Sequence, residues 1–140
     1  MLSYLRRPGG VACVLGEQNN VHGSVRFYET PKGILVRAEI DGLPSYNGVY
    51  AFHIHEGGSC ENPGTHFNPD KQLHPYHAGD LPPLFSANGR AFSLFLTDRF
   101  ALRQIIGKTV VIHSMPDDFT TQPSGNPGKI LGCGSIRSLP

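Results

Sequence analysis

Alternation of apolar and polar side chains with a period of two runs through most of this chain and restricts it to short strands. Val21, Val25 and Phe27 fall on one face of a predicted strand, with Ser24, Arg26 and Tyr28 on the other. Ile34, Val36, Ala38 and Ile40 repeat the pattern against Leu35, Arg37 and Glu39. Pro31-Lys32-Gly33 joins the two runs and reads as a hairpin connection. Further strands are predicted at 49–56, 90–97, 109–114 and 130–137, and shorter ones at 11–15 and 81–86. Residues 101–106 form the one predicted helical turn, ended by Gly107. With 17 Gly and 12 Pro among 140 residues, long helices are excluded. About eight short antiparallel strands make an all-β sandwich or flattened barrel the expected fold.

A chain of this length builds one core. We therefore expect a flexible tail over 1–10 and a single domain over 11–140. Twelve Lys and Arg against eleven Asp and Glu leave no basic excess, which argues against a nucleic-acid partner. No run approaches the ~20 apolar residues that cross a bilayer, so no membrane association is expected. Arg6 and Arg7 are followed by Pro8-Gly9-Gly10, too broken for an export signal, and the expected compartment is the cytoplasm. Cys13, inside Val11-Ala12-Cys13-Val14-Leu15, is expected to be a buried core thiol. Cys60 and Cys133 lie in glycine-rich surroundings, and pattern alone leaves their pairing open.

The outlier is histidine, with seven copies. In Phe52-His53-Ile54-His55-Glu56 the two imidazoles share one face of a strand while Phe52 and Ile54 turn inward. By itself this pattern also fits two solvent-facing histidines. His66, His74, His77 and Asp80 fall in a long irregular stretch, 57–83, of the kind usually kept for function. Three imidazoles and one carboxylate suit a tetrahedral zinc site. His113 ends a strand on the face opposite Val110 and Ile112, and Asp117 stands four residues on, able to accept a hydrogen bond from a ligand ring. His22 has no ligand-like neighbour and is expected at the surface. Composition and spacing thus reach a β protein with a multi-histidine metal site.

From Val11 to Ile136 the chain resembles the copper/zinc superoxide dismutases. The resemblance rests on Ala12-Cys13-Val14-Leu15, Phe52-His53-Ile54-His55-Glu56, His66-Phe67-Asn68-Pro69, His77-Ala78-Gly79-Asp80-Leu81, Val110-Val111-Ile112-His113 and Gly132-Cys133-Gly134, in that order. It implies a Greek-key β-barrel. It implies copper on His53, His55, His66 and His113, with His66 shared with a zinc held by His74, His77 and Asp80. Asp117 matches a carboxylate linking a copper ligand to a zinc ligand, and Cys60–Cys133 matches the family disulfide. The implied reaction is conversion of superoxide to dioxygen and hydrogen peroxide, with His66 delivering a proton. Superoxide is then the small-molecule partner; the sequence leaves the oligomeric state open, with a homodimer among the options.

Three departures stand out. Counting back from Cys133, Ile130 occupies the position of the family's active-site arginine. Lys129 is adjacent and is expected to substitute in part, although an ammonium lacks the planar fork of a guanidinium. The His74–His77 interval is shorter than usual for the family, and the 117–125 segment is short and lacks the usual charges. These departures keep open a non-enzymatic copper carrier or storage protein on the same fold.

Overall fold

Turn chemistry sets the strand boundaries. Pro31 and Lys32 close the hairpin of β2 (His22–Thr30) and β3 (Gly33–Asp41), and Thr30 pairs with Gly33. Asn88-Gly89, both at positive φ, close β5 (Asp80–Ala87) on β6 (Arg90–Thr97), with Ala87 opposite Arg90. A two-residue loop of this kind matches the right-handed twist of the strands it joins. The computed structural model describes residues 7–45 and 47–140. The remaining strands are β1 (Gly10–Leu15), β4 (Asn47–His55), β7 (Thr109–His113) and β8 (Ile130–Ser138). The helical turn α1 covers Leu102–Ile105.

The strands close into a barrel in the order β1-β2-β3-β6-β5-β4-β7-β8, and neighbours run antiparallel. After β3 the chain skips two places to lay down β4, so that β6 later enters beside β3. This is the Greek-key barrel that the family resemblance implies. Its interior takes the expected apolar sets, including Val25, Phe27, Val36, Ile40, Phe52, Ile54 and Ile112.

The tail expected over 1–10 lies partly outside the described residues, but Gly9 and Gly10 belong to the barrel. The Gly9 amide donates to the Phe27 carbonyl at 2.9 Å, and Gly10 opens β1. One expectation is corrected: Cys13 is exposed rather than buried. An unbroken apolar run cannot show which alternate residues face inward. Ala12 and Val14 take the core positions, so Cys13 between them points to water.

The irregular stretch is also less loose than its composition suggests. Phe67 N–H donates to Ile54 O at 2.8 Å, Ile54 N–H to Gly79 O at 2.8 Å, and Gly79 N–H to Phe67 O at 2.9 Å. Phe67 and Ala78 enter the core. The loop is thereby stitched to the last residues of β4, where His53 and His55 stand.

Candidate metal centre

Because Phe52 and Ile54 take the inward face of β4, His53 and His55 stand on its outer face. Asp80, first in β5, is the register partner of His53. His113 ends β7, whose Val110 and Ile112 fill the core. The 56–79 loop lays His66, His74 and His77 over this patch, and the β7–β8 connection adds Asp117. All six imidazoles and Asp117 are buried. That excludes the solvent-facing reading of His53 and His55.

Hydrogen bonds to groups that only accept assign the proton on four rings. His55 Nδ1 lies 2.8 Å from the Gly64 carbonyl oxygen and His113 Nδ1 lies 3.3 Å from that of Gly128. Both rings therefore donate from Nδ1 and leave Nε2 bare. The two bare Nε2 atoms face each other at 3.5 Å, a repulsive contact between acceptors that a cation relieves. His53 and His74 donate from Nε2 to Asp117 Oδ2 and Oδ1 at 2.8 and 2.7 Å. Their Nδ1 atoms are left buried without a hydrogen bond, as is Nε2 of His66.

The ligand atoms sort into two groups that share one ring. His66 Nδ1 lies 2.8 Å from Asp80 Oδ1 and 3.2 Å from His77 Nδ1. His74 Nδ1 and His77 Nδ1 lie 3.1 and 3.0 Å from Asp80 Oδ2. Donor atoms of His66, His74, His77 and Asp80 fall within 4.8 Å of one another, and so do those of His53, His55 and His66. His113 joins the second group through its contact with His55. Three nitrogens and a carboxylate fit tetrahedral zinc, and a set of four imidazoles fits copper. His53, His74 and Asp117 are equally close together, but their contacts are complete N–H to carboxylate bonds. Asp117 therefore orients two rings rather than offering a third site.

Electrostatics favour the neutral, ligating form of His53, His55, His77 and His113. Burial is the largest cause in each case, lowering His53 to about 2 and His55 to about 4, with neighbouring rings adding in the same sense. His77 and His113 are lowered for the same reason. Burial works against ionisation of Asp80, but the hydrogen bond to His66 and the surrounding rings outweigh it and hold the carboxyl below its ordinary range.

The Cys60–Cys133 disulfide is formed, with Cα atoms 5.7 Å apart, and ties the loop to β8. His22 is exposed, as expected. Lys129 is not brought to the histidines' opening. Its backbone pairs with Ser114, and it lines a groove of about 200 Å³ with Glu17, Asn20 and Ile130. Ile130 opens β8 opposite His113. The opening above the histidines is a separate space of about 430 Å³, walled by residues that include His55, Thr65, His66, His113 and Ser124, with no Lys or Arg in its described lining.

Two supporting residues carry no signal in the sequence. The His74 amide donates to Gln122 Oε1 at 3.0 Å, and Gln122 Nε2 donates back to the His74 carbonyl at 2.8 Å. This side chain thus grips the backbone of the shortened His74–His77 segment like a neighbouring strand. Gly125, at φ +80°, lets the chain pass over the Asp117–His74 pair, where any Cβ would collide with Asp117 Oδ1 and His74 Nε2.

The fold and the paired ligand groups agree with the comparisons with known proteins. Residues 21–136 match the family described as copper/zinc superoxide dismutase (SODC). The chain belongs to the copper/zinc superoxide dismutase family. It is 36% identical to superoxide dismutase [Cu-Zn] 2 of Aquifex aeolicus, over 89% of this chain and 84% of that protein. It is 32% identical to the human copper chaperone for superoxide dismutase, over 94% of this chain but 54% of the chaperone. Among solved structures, the clock protein EA4 superposes with a TM-score of 0.83 at 32% identity, covering 94% of this chain and 96% of that one.

Proposed function

We propose that this chain is an active superoxide dismutase, with copper on His53, His55, His66 and His113 and zinc on His66, His74, His77 and Asp80. The observation that carries the proposal is the position of His66, whose Nε2 is buried without a hydrogen bond and whose Nδ1 lies 2.8 Å from Asp80, so that both groups of ligand residues meet on one ring. When bound, copper supplies the one-electron couple that takes an electron from one superoxide and returns it to another, while zinc supplies fixed positive charge. Two superoxide ions and two protons thereby become dioxygen and hydrogen peroxide.

The protein supplies geometry and a proton. Asp117 holds His53 and His74 by their Nε2–H groups, fixing the orientation and tautomer of each ring. Gly64 and Gly128 carbonyls do the same for His55 and His113. His66 Nε2 is the atom in this reading that carries a proton to the reduced product. His66 also borders the opening, so that proton is exchanged with water without unfolding the site.

The lining of that opening supports a second reading, a copper carrier or storage protein on the same fold. Without a cation there, and with Ile130 where the family has arginine, nothing at the entrance draws in an anion. Loading with copper and zinc, counting metals, and assaying superoxide consumption beside His113→Ala separates the two. Activity above that of equimolar free copper, lost in the variant, supports the enzyme. Two bound metals with no activity beyond free copper supports the carrier.

A further inference from the structure

A cleft of about 350 Å³ borders the His74–His77 turn and shares no lining residue with the opening over the histidines. Three parts of the chain wall it. Pro75 and Tyr76 come from the turn, Leu81 and Phe95 from β5 and β6, and Phe119 from the β7–β8 connection. The cleft stands at the lower end of the ~300–1,000 Å³ of small-molecule sites, a size for a single ring rather than a fused cofactor. Such sites are mostly apolar, with a few polar groups that fix the ligand's orientation.

Here that polar group is Arg99. Its Nη1 donates to the His77 carbonyl at 3.2 Å, which steadies the guanidinium at the cleft. Among the described residues it has no ion-pair partner. A guanidinium carries five N–H donors in a planar fork that matches a carboxylate, so most of them are left for a ligand. The two acids of the lining are turned to the metal centre instead. Asp80 Oδ1 lies 2.8 Å from His66 Nδ1, and its Oδ2 accepts the His77 amide at 2.9 Å. Asp117 is taken up by His53, His74 and the Phe119 amide.

Phe119 supplies an independent observation. Its φ of +62° is a conformation that bulky side chains rarely adopt, and the hydrogen bond from its amide to Asp117 Oδ1, at 2.8 Å, helps to hold it there. The ring takes no part in the core and remains 47% exposed on the wall of the cleft. Strain of this kind clusters where a ligand is clamped. We propose that the cleft binds a small aromatic carboxylate, with its ring among Tyr76, Phe95 and Phe119 and its carboxylate on Arg99. Aromatic walls favour a flat ring through stacked and edge contacts. Charge complementarity selects the acid, since an amine of the same shape sets its ammonium against Arg99. The separate linings mean that an occupant leaves the histidines accessible. This inference does not depend on the dismutase reading.

Two-dimensional amide NMR spectra of the labelled chain, with any copper held as Cu(I), test it by titration with phenylacetate. Saturable shifts are expected at the amides of Tyr76, Thr97, Arg99 and Phe119, with a dissociation constant on the order of 1 mM for one ring and one charge. Phenethylamine, which keeps the ring and reverses the charge, and acetate, which lacks the ring, are expected to leave these amides unmoved. Arg99→Gln is expected to weaken phenylacetate binding about tenfold. Phe119→Gly removes one wall but supplies the residue that a positive φ favours. Binding is expected to weaken about fivefold while the thermal midpoint holds or rises. No saturable shift with phenylacetate overturns the proposal. So does equal binding of phenethylamine, or an affinity unmoved by both variants.

Discussion

His53 and His74 come from opposite sides of the site, one from a barrel strand and one from the covering loop, and both donate to the same carboxylate. Asp117 Oδ2 takes His53 Nε2–H at 2.8 Å and Oδ1 takes His74 Nε2–H at 2.7 Å. The two ligand groups are therefore coupled through Asp117 as well as through His66. In Asp117→Asn the amide retains one acceptor oxygen and turns an NH₂ group toward the other ring's N–H. Metal affinity is expected to fall roughly 10–100-fold at both sites, read by competition with a chromophoric chelator. A loss confined to one site, with the other unchanged, contradicts the coupling.

Gln122 acts one step further out, through the His74 backbone. Gln122→Ala removes both of its hydrogen bonds, and its carboxamide is the only described side chain holding that peptide. Zinc retention during dialysis against chelator is expected to drop while copper retention changes little. Equal retention in variant and parent shows that the loop holds its shape without this clamp.

The Cys60–Cys133 bond closes a separation of 73 residues. In the chain-entropy account such a loop contributes about 4 kcal/mol by restricting the unfolded chain. Denaturant unfolding of the metal-free protein with and without reductant measures this. The midpoint is expected to fall on reduction, and amides of the loop after β4 are expected to exchange faster.

Burial lowers His53, His55, His77 and His113 relative to their unfolded values, with His55 at about 4. Between about pH 6.5 and 4 the unfolded chain consequently binds protons that the folded chain refuses. The stabilisation is fully present above about pH 6.5 and is lost as pH falls toward 4. Thermal melts of metal-free protein are expected to drop through that window, while metal-loaded protein holds its midpoint further down before protons displace the ions. A flat metal-free profile contradicts this assignment.

Ile130→Arg places a guanidinium one residue from Lys129, opposite His113. If lack of a cation near the opening limits turnover, superoxide consumption rises severalfold at low ionic strength, and the gain shrinks as salt screens the charge. An unchanged rate at low salt rejects this explanation.

Period-two alternation determined most of the strands and inward sets and hence the all-β class, because a side chain's face follows directly from its place in a strand. The ligand residues were legible as types at spacings, since imidazoles two apart on a strand must project together. The phase of an unbroken apolar run was not legible: Cys13 looked buried until pairing put Ala12 and Val14 inside. Phe92, Leu94 and Leu96 alternate with Ala91, Ser93 and Phe95, and nothing in that order says which set faces water. Only the tertiary structure decided which nitrogen of each imidazole is bare, because the carbonyls of Gly64 and Gly128 and the carboxylate of Asp117 reach those rings from remote segments. It likewise assigned Lys129 and Ile130 to a groove lined by Glu17 and Asn20, since the path of the β7–β8 connection depends on the remote segments it packs against as well as on its own residues.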